Sequence, residues 1–178
     1  IDQNSTFGFE TKYYLGSVCS INLGTISDVT TKEYTLSCNN IRYVGGIVAH
    51  NVGSVLNCTN NISIKLYNYG ASESRILGGI VGITKASTIK ESLNGETSDV
   101  YITNCINNGT VIGSRFTGGV VGQIAWRGDG KTSIMSYCVN NGLVKFEVIK
   151  ITDTEVVCKT IIGGTLSNRK SMSFPNKV

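Results

Sequence analysis

Two short phrases recur along this chain, and their clearest copies are Cys105-Ile-Asn-Asn-Gly-Thr-Val111 and Gly118-Gly-Val-Val-Gly122. Repeats of this length define the architecture, because each copy is one structural unit that stacks on its neighbours. The first phrase has three further copies: Cys58-Thr-Asn-Asn-Ile-Ser-Ile64, Cys138-Val-Asn-Asn-Gly-Leu-Val144 and the looser Cys19-Ser-Ile-Asn-Leu-Gly-Thr-Ile26. The second phrase also has three: Gly45-Gly-Ile-Val-Ala49, Gly78-Gly-Ile-Val-Gly82 and Gly163-Gly-Thr-Leu-Ser167.

The repeated phrases predict β-strands rather than helices. Each apolar stretch is short, rich in Val and Ile, and closed by Gly or Asn, and no segment keeps a helical period. The unequal spacing of the copies is typical of stacked strands joined by loops of different length. The sequence therefore predicts an all-β fold, a parallel β-solenoid (β-helix) of about four to five coils with atypical terminal caps. A β-sandwich is the alternative, but its strands have no reason to repeat the same phrase.

Stacked coils place equivalent residues above one another at the strand spacing of about 4.7–4.9 Å. We expect the repeated Asn side chains to form a hydrogen-bonded ladder and the repeated cysteines to form a second column. The glycine pairs are expected where the backbone turns tightly or approaches another strand closely. The expected structural ladder consists of Cys19, Cys58, Cys105, Cys138, Asn60, Asn107, Asn140, Gly45, Gly46, Gly78, Gly79, Gly118, Gly119, Gly163 and Gly164.

The 178 residues are expected to form a single β-solenoid domain whose ends differ from its middle. Residues 1–15 lack both phrases and are expected to form an N-terminal cap. Residues 16–167 carry the repeats, and residues 168–178 are expected to form a C-terminal tail or cap. Terminal repeats of solenoids are usually atypical, because they must protect an open sheet edge.

Composition limits the classes of partner. The net charge is +4, only 16% of the residues are charged, and the Lys and Arg residues are scattered, so no nucleic-acid partner is indicated. No apolar run approaches the roughly 20 residues that a membrane-spanning helix needs. The lone His50 has no Cys, His, Asp or Glu close to it in sequence, and the chain has no Cys-x-x-Cys, which argues against a zinc site. We expect no cofactor and no metal.

The pattern Asn-Cys-x-Asn-x-Gly-x-Val followed by Gly-Gly-Ile-Val-Gly resembles the GLUG-motif repeats of bacterial secreted and surface proteins. The best copy runs from Asn104 through Gly122, and the resemblance covers roughly residues 16–167. Gly is missing at Ile62, and the copies near Cys19 and Gly163 are weak. The resemblance implies a β-helical, extracellular module without catalytic activity, and it says almost nothing about a ligand.

The cysteines admit two interpretations. Those in the repeat column are expected to be small buried thiols, since free Cys is among the most buried residue types. Adjacent coils would also suit a disulfide, whose Cα atoms lie about 4.4–6.8 Å apart. Cys38 and Cys158 lie outside the column and could pair with it, and connectivity does not follow from sequence.

One loop contains two short patterns, within Ala125-Trp-Arg-Gly-Asp-Gly-Lys-Thr132. It resembles a phosphate-binding loop but leads into a repeated strand instead of a helix, which argues against a nucleotide site. It also contains the tripeptide that integrins recognise, beside the only tryptophan. The candidate binding loop consists of Trp126, Arg127, Gly128 and Asp129.

Four Asn residues match the glycosylation acceptor pattern, which matters only in a protein that a eukaryote secretes. Three of them lie inside or beside the repeated phrase, so a role in the stacked ladder explains them equally well. The candidate glycosylation sites are Asn4, Asn57, Asn61 and Asn108.

The leading functional prediction is an extracellular or cell-surface structural or adhesive β-solenoid, not an enzyme, that associates end to end into a filament or contacts surface glycans. A polysaccharide-binding or polysaccharide-degrading β-helix is the first alternative. Glycoside hydrolysis usually needs two carboxyl groups within about 5–9.5 Å. Asp153 and Glu155 could share a face in this way, and so could Asp28 with a residue of a neighbouring coil. A cell-adhesion module that uses the Arg127-Gly128-Asp129 loop is the second alternative.

Overall fold

A computed structural model describes residues 14–39, 41–67, 75–84, 99–113, 116–125, 132–146 and 161–162. Every regular element in these ranges is a β-strand, and the strands group into four successive coils. Each strand is two to six residues long and begins or ends near a Gly, Asn or Ser, as the sequence pattern predicts.

The strands of each coil follow one another in the same order. The first coil contains β1 (Tyr14–Gly16), β2 (Cys19–Asn22), β3 (Thr25–Ser27) and β4 (Tyr34–Asn39). The second contains β5 (Tyr43–Gly45), β6 (Val48–Asn51), β7 (Ser54–Leu56), β8 (Thr59–Asn60) and β9 (Ile62–Tyr67). The third contains β10 (Ile76–Gly78), β11 (Val81–Thr84), β12 (Val100–Thr103), β13 (Ile106–Asn107) and β14 (Val111–Gly113). The fourth contains β15 (Phe116–Gly118), β16 (Val121–Ile124), β17 (Ser133–Ser136), β18 (Val139–Asn140) and β19 (Val144–Phe146).

Equivalent strands of successive coils pair in parallel and form five sheets. Sheet A is β1-β5-β10-β15, sheet B is β2-β6-β11-β16, and sheet C is β3-β7-β12-β17. Sheet D is β8-β13-β18, to which the first coil adds only a bridge between Thr30 and Thr59. Sheet E contains β4-β9-β14-β19 and a last strand, β20 (Ile161–Ile162). The predicted all-β parallel β-solenoid is confirmed.

The first and last described strands show how far the stack can be followed. Tyr14 pairs with Tyr43 and Gly16 with Gly45, so β1 already lies in sheet A. At the other end β20 runs antiparallel to β19, with Lys145 opposite Ile162. This strand therefore does not begin a fifth coil of the same kind, and Gly163 and Gly164 lie outside the described residues.

The two larger of the three apolar clusters form cores on either side of the glycine phrase. Val44 and Leu77 of sheet A pack with sheet E residues such as Ile64 in one core. Ile47 and Val48 belong to the other core, with sheet C residues such as Ile102. The chain therefore crosses from one core to the other within Val44-Gly-Gly-Ile47 and makes the inner wall between them.

The first glycine of each pair makes that wall thin. A Cβ atom built on Gly45 would overlap the carbonyl oxygen of Val48, and one on Gly78 would overlap that of Val81. Sheets A and B are therefore too close for any side chain at these positions. The requirement is for space, because the neighbouring atoms belong to backbone that cannot move away.

We predict that Gly78→Ala destabilises the protein by about 2 kcal/mol or more, because its Cβ would overlap the Val81 carbonyl and the Gly122 amide nitrogen. Gly24→Ala is the matched control, since nothing lies within 4 Å of a Cβ there. We expect its free energy of unfolding to change by less than about 1 kcal/mol. Urea unfolding of the three proteins measures both effects, and equal stabilities would contradict the thin-wall account.

Candidate binding face

The Asn side chains of the repeated phrase form the expected ladder. Asn60 Nδ2 donates to Asn107 Oδ1 at 2.8 Å, and Asn107 Nδ2 donates to Asn140 Oδ1 at 2.7 Å. Each Nδ2 also donates to the backbone carbonyl two residues later in its own coil, for example to Gly109 O at 2.8 Å. Asn60 and Asn107 are fully buried, so both hydrogens of each amide are used inside the protein. We call this row the inner ladder.

The second glycine of each pair lies directly against the inner ladder. A Cβ on Gly46 would meet Asn60 Cγ at 2.5 Å, and Gly79 and Gly119 face Asn107 and Asn140 in the same way. The two repeated phrases are thus the two sides of one contact. Only a residue without a side chain fits opposite an Asn whose amide must reach the next coil.

The first coil replaces both members of this contact. Ser17 follows Gly16 where the later coils have the second glycine, and its Oγ donates to the Gly46 carbonyl. Thr31 stands level with Asn60 and donates to Asn60 Oδ1 at 3.1 Å. The larger Ser is therefore accompanied by a shorter polar residue that still continues the ladder.

Cys58, Cys105 and Cys138 form a buried or half-buried thiol column, as predicted, without disulfides. The Cys138 and Cys58 thiols, together with burial, raise the pKa of the Cys105 thiol. Cys19 does not belong to this column, and its assignment was wrong. It pairs instead with Val48 in sheet B, because the Thr30–Thr59 bridge brings Val29 level with Cys58.

The only histidine has an aromatic environment. His50 is buried, and its ring stacks on Tyr14 with centroids 5.5 Å apart. Tyr14 stacks in turn on Tyr43 at 5.0 Å, and the Arg42 guanidinium lies 5.2 Å from the Tyr43 ring. The cluster packs the outer sides of neighbouring strands, which is a structural role. Within the described ranges no three His, Cys, Asp or Glu side chains come together as a metal site would require.

A row of residues with positive φ marks the corner between sheets C and D. Asp28, Asn57 and Asn104 have φ of 59°, 54° and 55°, a region that Asp and Asn tolerate better than other side chains. Asn57 Nδ2 donates to Asp28 Oδ1 at 3.1 Å, and Asn104 Nδ2 donates to Asn57 Oδ1 at 3.0 Å. We call this exposed row the corner ladder.

A third ladder lies at the other edge of sheet D. Asn108 Nδ2 donates to Asn61 Oδ1 at 2.8 Å, and Asn141 Nδ2 donates to Asn108 Oδ1 at 2.9 Å. Asn61 continues the row by donating to the Thr31 carbonyl at 2.7 Å. We call this row the outer ladder. Its hydrogen bonds run from the fourth coil toward the first, opposite in direction to those of the inner ladder.

Tyr137 interrupts the corner ladder in the fourth coil. Its φ is 53°, and its side chain is 84% exposed. A Tyr in this conformation costs about 1–3 kcal/mol, and it supplies no amide to the Asn104 side chain one coil earlier. Sequence analysis missed both exposed rows. The corner ladder could have been found from the residue before each repeated cysteine, and the outer ladder from the second Asn of each Asn-Asn pair.

The surface that carries these rows is the candidate binding face, formed by the outer sides of sheets C and D with the corner and outer ladders. It presents hydroxyl, amide, aromatic and apolar side chains. Among the described residues of this face, Asp28 is the only charged one, and it belongs to the first coil. Outward positions of sheets C and D alternate with the inward Val55, Ile102 and cysteine side chains. The outward residues are Thr25, Ser27, Thr30, Ser54, Leu56, Thr59, Tyr101, Thr103, Ile106, Ile134, Ser136 and Val139.

Several predicted site residues lie outside the described part of the chain. They are the loop residues Trp126, Arg127, Gly128 and Asp129, the acidic pair Asp153 and Glu155, Cys158, and Asn4. The other three glycosylation candidates, Asn57, Asn61 and Asn108, are members of the corner and outer ladders.

The parallel coils and the Asn ladders define the chain as a β-solenoid repeat protein. Comparison with protein-family models, with curated proteins and with solved structures gives no match to it. None of the described residues belongs to a helix with the length and apolarity that a membrane crossing requires.

We predict that the inner and outer ladders differ sharply in stability. Asn107→Ala leaves Asn60 Nδ2 and Asn140 Oδ1 without their partner inside the protein, which we expect to cost about 2–4 kcal/mol. Asn108→Ala removes the same side chain one residue later, where water replaces it, and should cost less than about 1 kcal/mol. Thermal unfolding of both variants tests the difference, and comparable losses would show that burial does not separate the ladders.

Burial raises the pKa of the Cys38 thiol to about 12, which predicts a pH dependence of stability. Since the folded protein holds this proton more tightly than the unfolded chain, the stabilisation is complete below about pH 9 and is lost between about pH 9 and 12. The slope is about 1 kcal/mol per pH unit for one thiol. Denaturant unfolding of Cys38→Ala at pH 8–11 should give a flatter profile than the parent protein. Parallel profiles would refute the assignment.

Proposed function

We propose that this chain is a non-catalytic extracellular or cell-surface β-solenoid module, related to GLUG-type repeats, with a structural or adhesive role. The observation that carries the proposal is the candidate binding face. Three ladders fix its backbone in register, and its exposed side chains are nearly all uncharged. Such a rigid surface of hydroxyl and amide groups suits the hydroxyl groups of surface glycans, since each can donate and accept hydrogen bonds.

The two aspartates of the described ranges are placed as structural groups, which supports a role without catalysis. Asp28, Glu33 and Asp99 are the acidic residues of those ranges. Asp28 and Glu33 stand at the two ends of the connection between β3 and β4, and Asp99 precedes β12. Asp28 accepts a hydrogen bond from Asn57, and Asp99 Oδ1 accepts one from the Thr132 amide at 2.8 Å. Glycoside hydrolysis would need two such groups facing one sugar bond.

Association end to end is part of the same proposal. Each coil extends the sheets by one parallel strand, and the end strands of a stack are templates for further strands. A repeated head-to-tail contact of this kind produces filaments. β20 lies against β19 and occupies that edge of sheet E, so growth there would have to use the other sheets.

A binding and turnover assay tests the proposal. We expect the purified protein to be retained by at least one neutral polysaccharide in pull-down assays and to release no reducing ends from it. Electron microscopy of the same preparation should show linear assemblies at high concentration. Release of reducing ends would show that the protein is an enzyme and would contradict the proposed non-catalytic role. Absence of retention on every polysaccharide would remove glycans as partners, and particles of single-chain size would remove the filament.

A further inference from the structure

We infer that Tyr137, with Asn104 and Asn141 on either side of sheet D, forms a subsite that binds one or two adjoining neutral sugar units of a surface polysaccharide. This inference rests on the proposed function and identifies the part of the candidate binding face that does the binding. It concerns the fourth coil and the adjoining edge of the third.

The central residue of the subsite, Tyr137, has a backbone conformation that destabilises a residue of its type. The corner ladder has Asp or Asn in its first three coils, where the side chain both tolerates positive φ and bonds a neighbouring coil. Tyr137 satisfies neither condition. A strained residue that exposes most of its side chain indicates selection for contact with something outside the protein.

The same coil is unusually apolar on its surface. Val139 is 48% exposed and Leu143 is 41% exposed, and both stand close to Tyr137 in sequence. Two coils earlier the equivalent of Val139 is the hydroxyl residue Thr59. Only Cys138 separates Tyr137 from Val139, so the exposed ring and this aliphatic side chain form an apolar floor, as ligand sites commonly have.

Two amide oxygens border this floor. Asn104 Oδ1 and Asn141 Oδ1 stand at the ends of the corner and outer ladders, and no described residue donates to either. Both residues are exposed, so water occupies these acceptors until a ligand arrives. The two side chains stand on opposite edges of sheet D. At the strand rise of about 3.3 Å per residue, the width of this sheet along its strands is about that of one or two sugar rings.

A neutral glycan matches this arrangement better than any other polymer. A sugar ring has a face of C–H groups that can stack on Tyr137 and a rim of hydroxyl groups that can donate to the two Asn oxygens. The described residues between Val100 and Leu143 contain no Asp, Glu, Lys, Arg or His. These described residues therefore supply no cation for an acidic polysaccharide, a nucleic acid or an anionic membrane surface.

Affinity electrophoresis of the full chain tests the subsite. The probes are the neutral polymers hydroxyethylcellulose, galactomannan, xyloglucan and xylan, and the acidic polymers alginate and polygalacturonate. We expect retardation by at least one neutral polymer and by neither acidic one. Tyr137→Asn should weaken that retention about tenfold or more, whereas Tyr137→Phe, which keeps the ring, should stay within about threefold of the parent.

Tyr137→Asn has a second readout that separates lost binding from misfolding. Asn removes the strained aromatic residue and restores the corner ladder to Asn104, so the melting temperature should rise by about 2–4 °C. A variant that is more stable but binds less identifies Tyr137 as a ligand contact. A variant that is less stable would contradict the strain argument and overturn the inference.

A matched pair of Val→Thr variants tests whether Val139 belongs to the apolar floor of the subsite. Val139→Thr should weaken retention, and Val18→Thr should not, although Val18 is 47% exposed and Val139 is 48% exposed. If the parent is retained but Tyr137→Asn is retained equally well, the subsite is wrong and the proposed function stands. If no neutral polymer retains the parent, the glycan-binding function and the subsite both fail.

Discussion

The contact between a glycine without a side chain and an asparagine amide organises each coil. Gly46, Gly79 and Gly119 face Asn60, Asn107 and Asn140, and the amide uses the vacated space to bond the neighbouring coil. The glycine phrase also separates the two apolar cores, so one short segment fixes both the interior wall and the axial ladder. Ser17 with Thr31 is a second solution to the same spatial requirement, with a larger residue on one side and a smaller one on the other.

Polar residues of one type have different roles on the two sides of sheet D. Asn60 and Asn107 of the inner ladder have no contact with water, so each of their amide hydrogens must find a protein acceptor. The corner and outer ladders face water and tolerate interruption. Tyr137 is such an interruption, and it lies beside the exposed Val139. Buried Asn residues thus specify the coil, and exposed positions remain open for recognition.

Repetition made much of this fold predictable from the sequence. Asn60, Asn107 and Asn140 could be placed in one row because their neighbours repeat with them. Cys19 was misplaced because its phrase resembles the others, whereas register is set by the backbone pairing of Thr30 with Thr59. The direction of β20 also depends on tertiary packing, since Ile161–Ile162 resembles the strands that begin other coils. The exposed ladders were missed because a positive φ at Asn57 or Asn104 does not change the spacing of apolar residues, which is what predicts strands from a sequence.

The opposed directions of the ladders have an electrostatic consequence. Side-chain amide dipoles that align along a row add up, as peptide dipoles do along a helix. In the inner row the amides point from the second coil to the fourth, and in the outer row, one residue away, they point back. The corner row points the same way as the outer one, from the third coil to the first. The inner row therefore offsets part of the field of the two exposed rows, so a duplicated coil adds less partial charge at the ends of the stack than the exposed rows alone would.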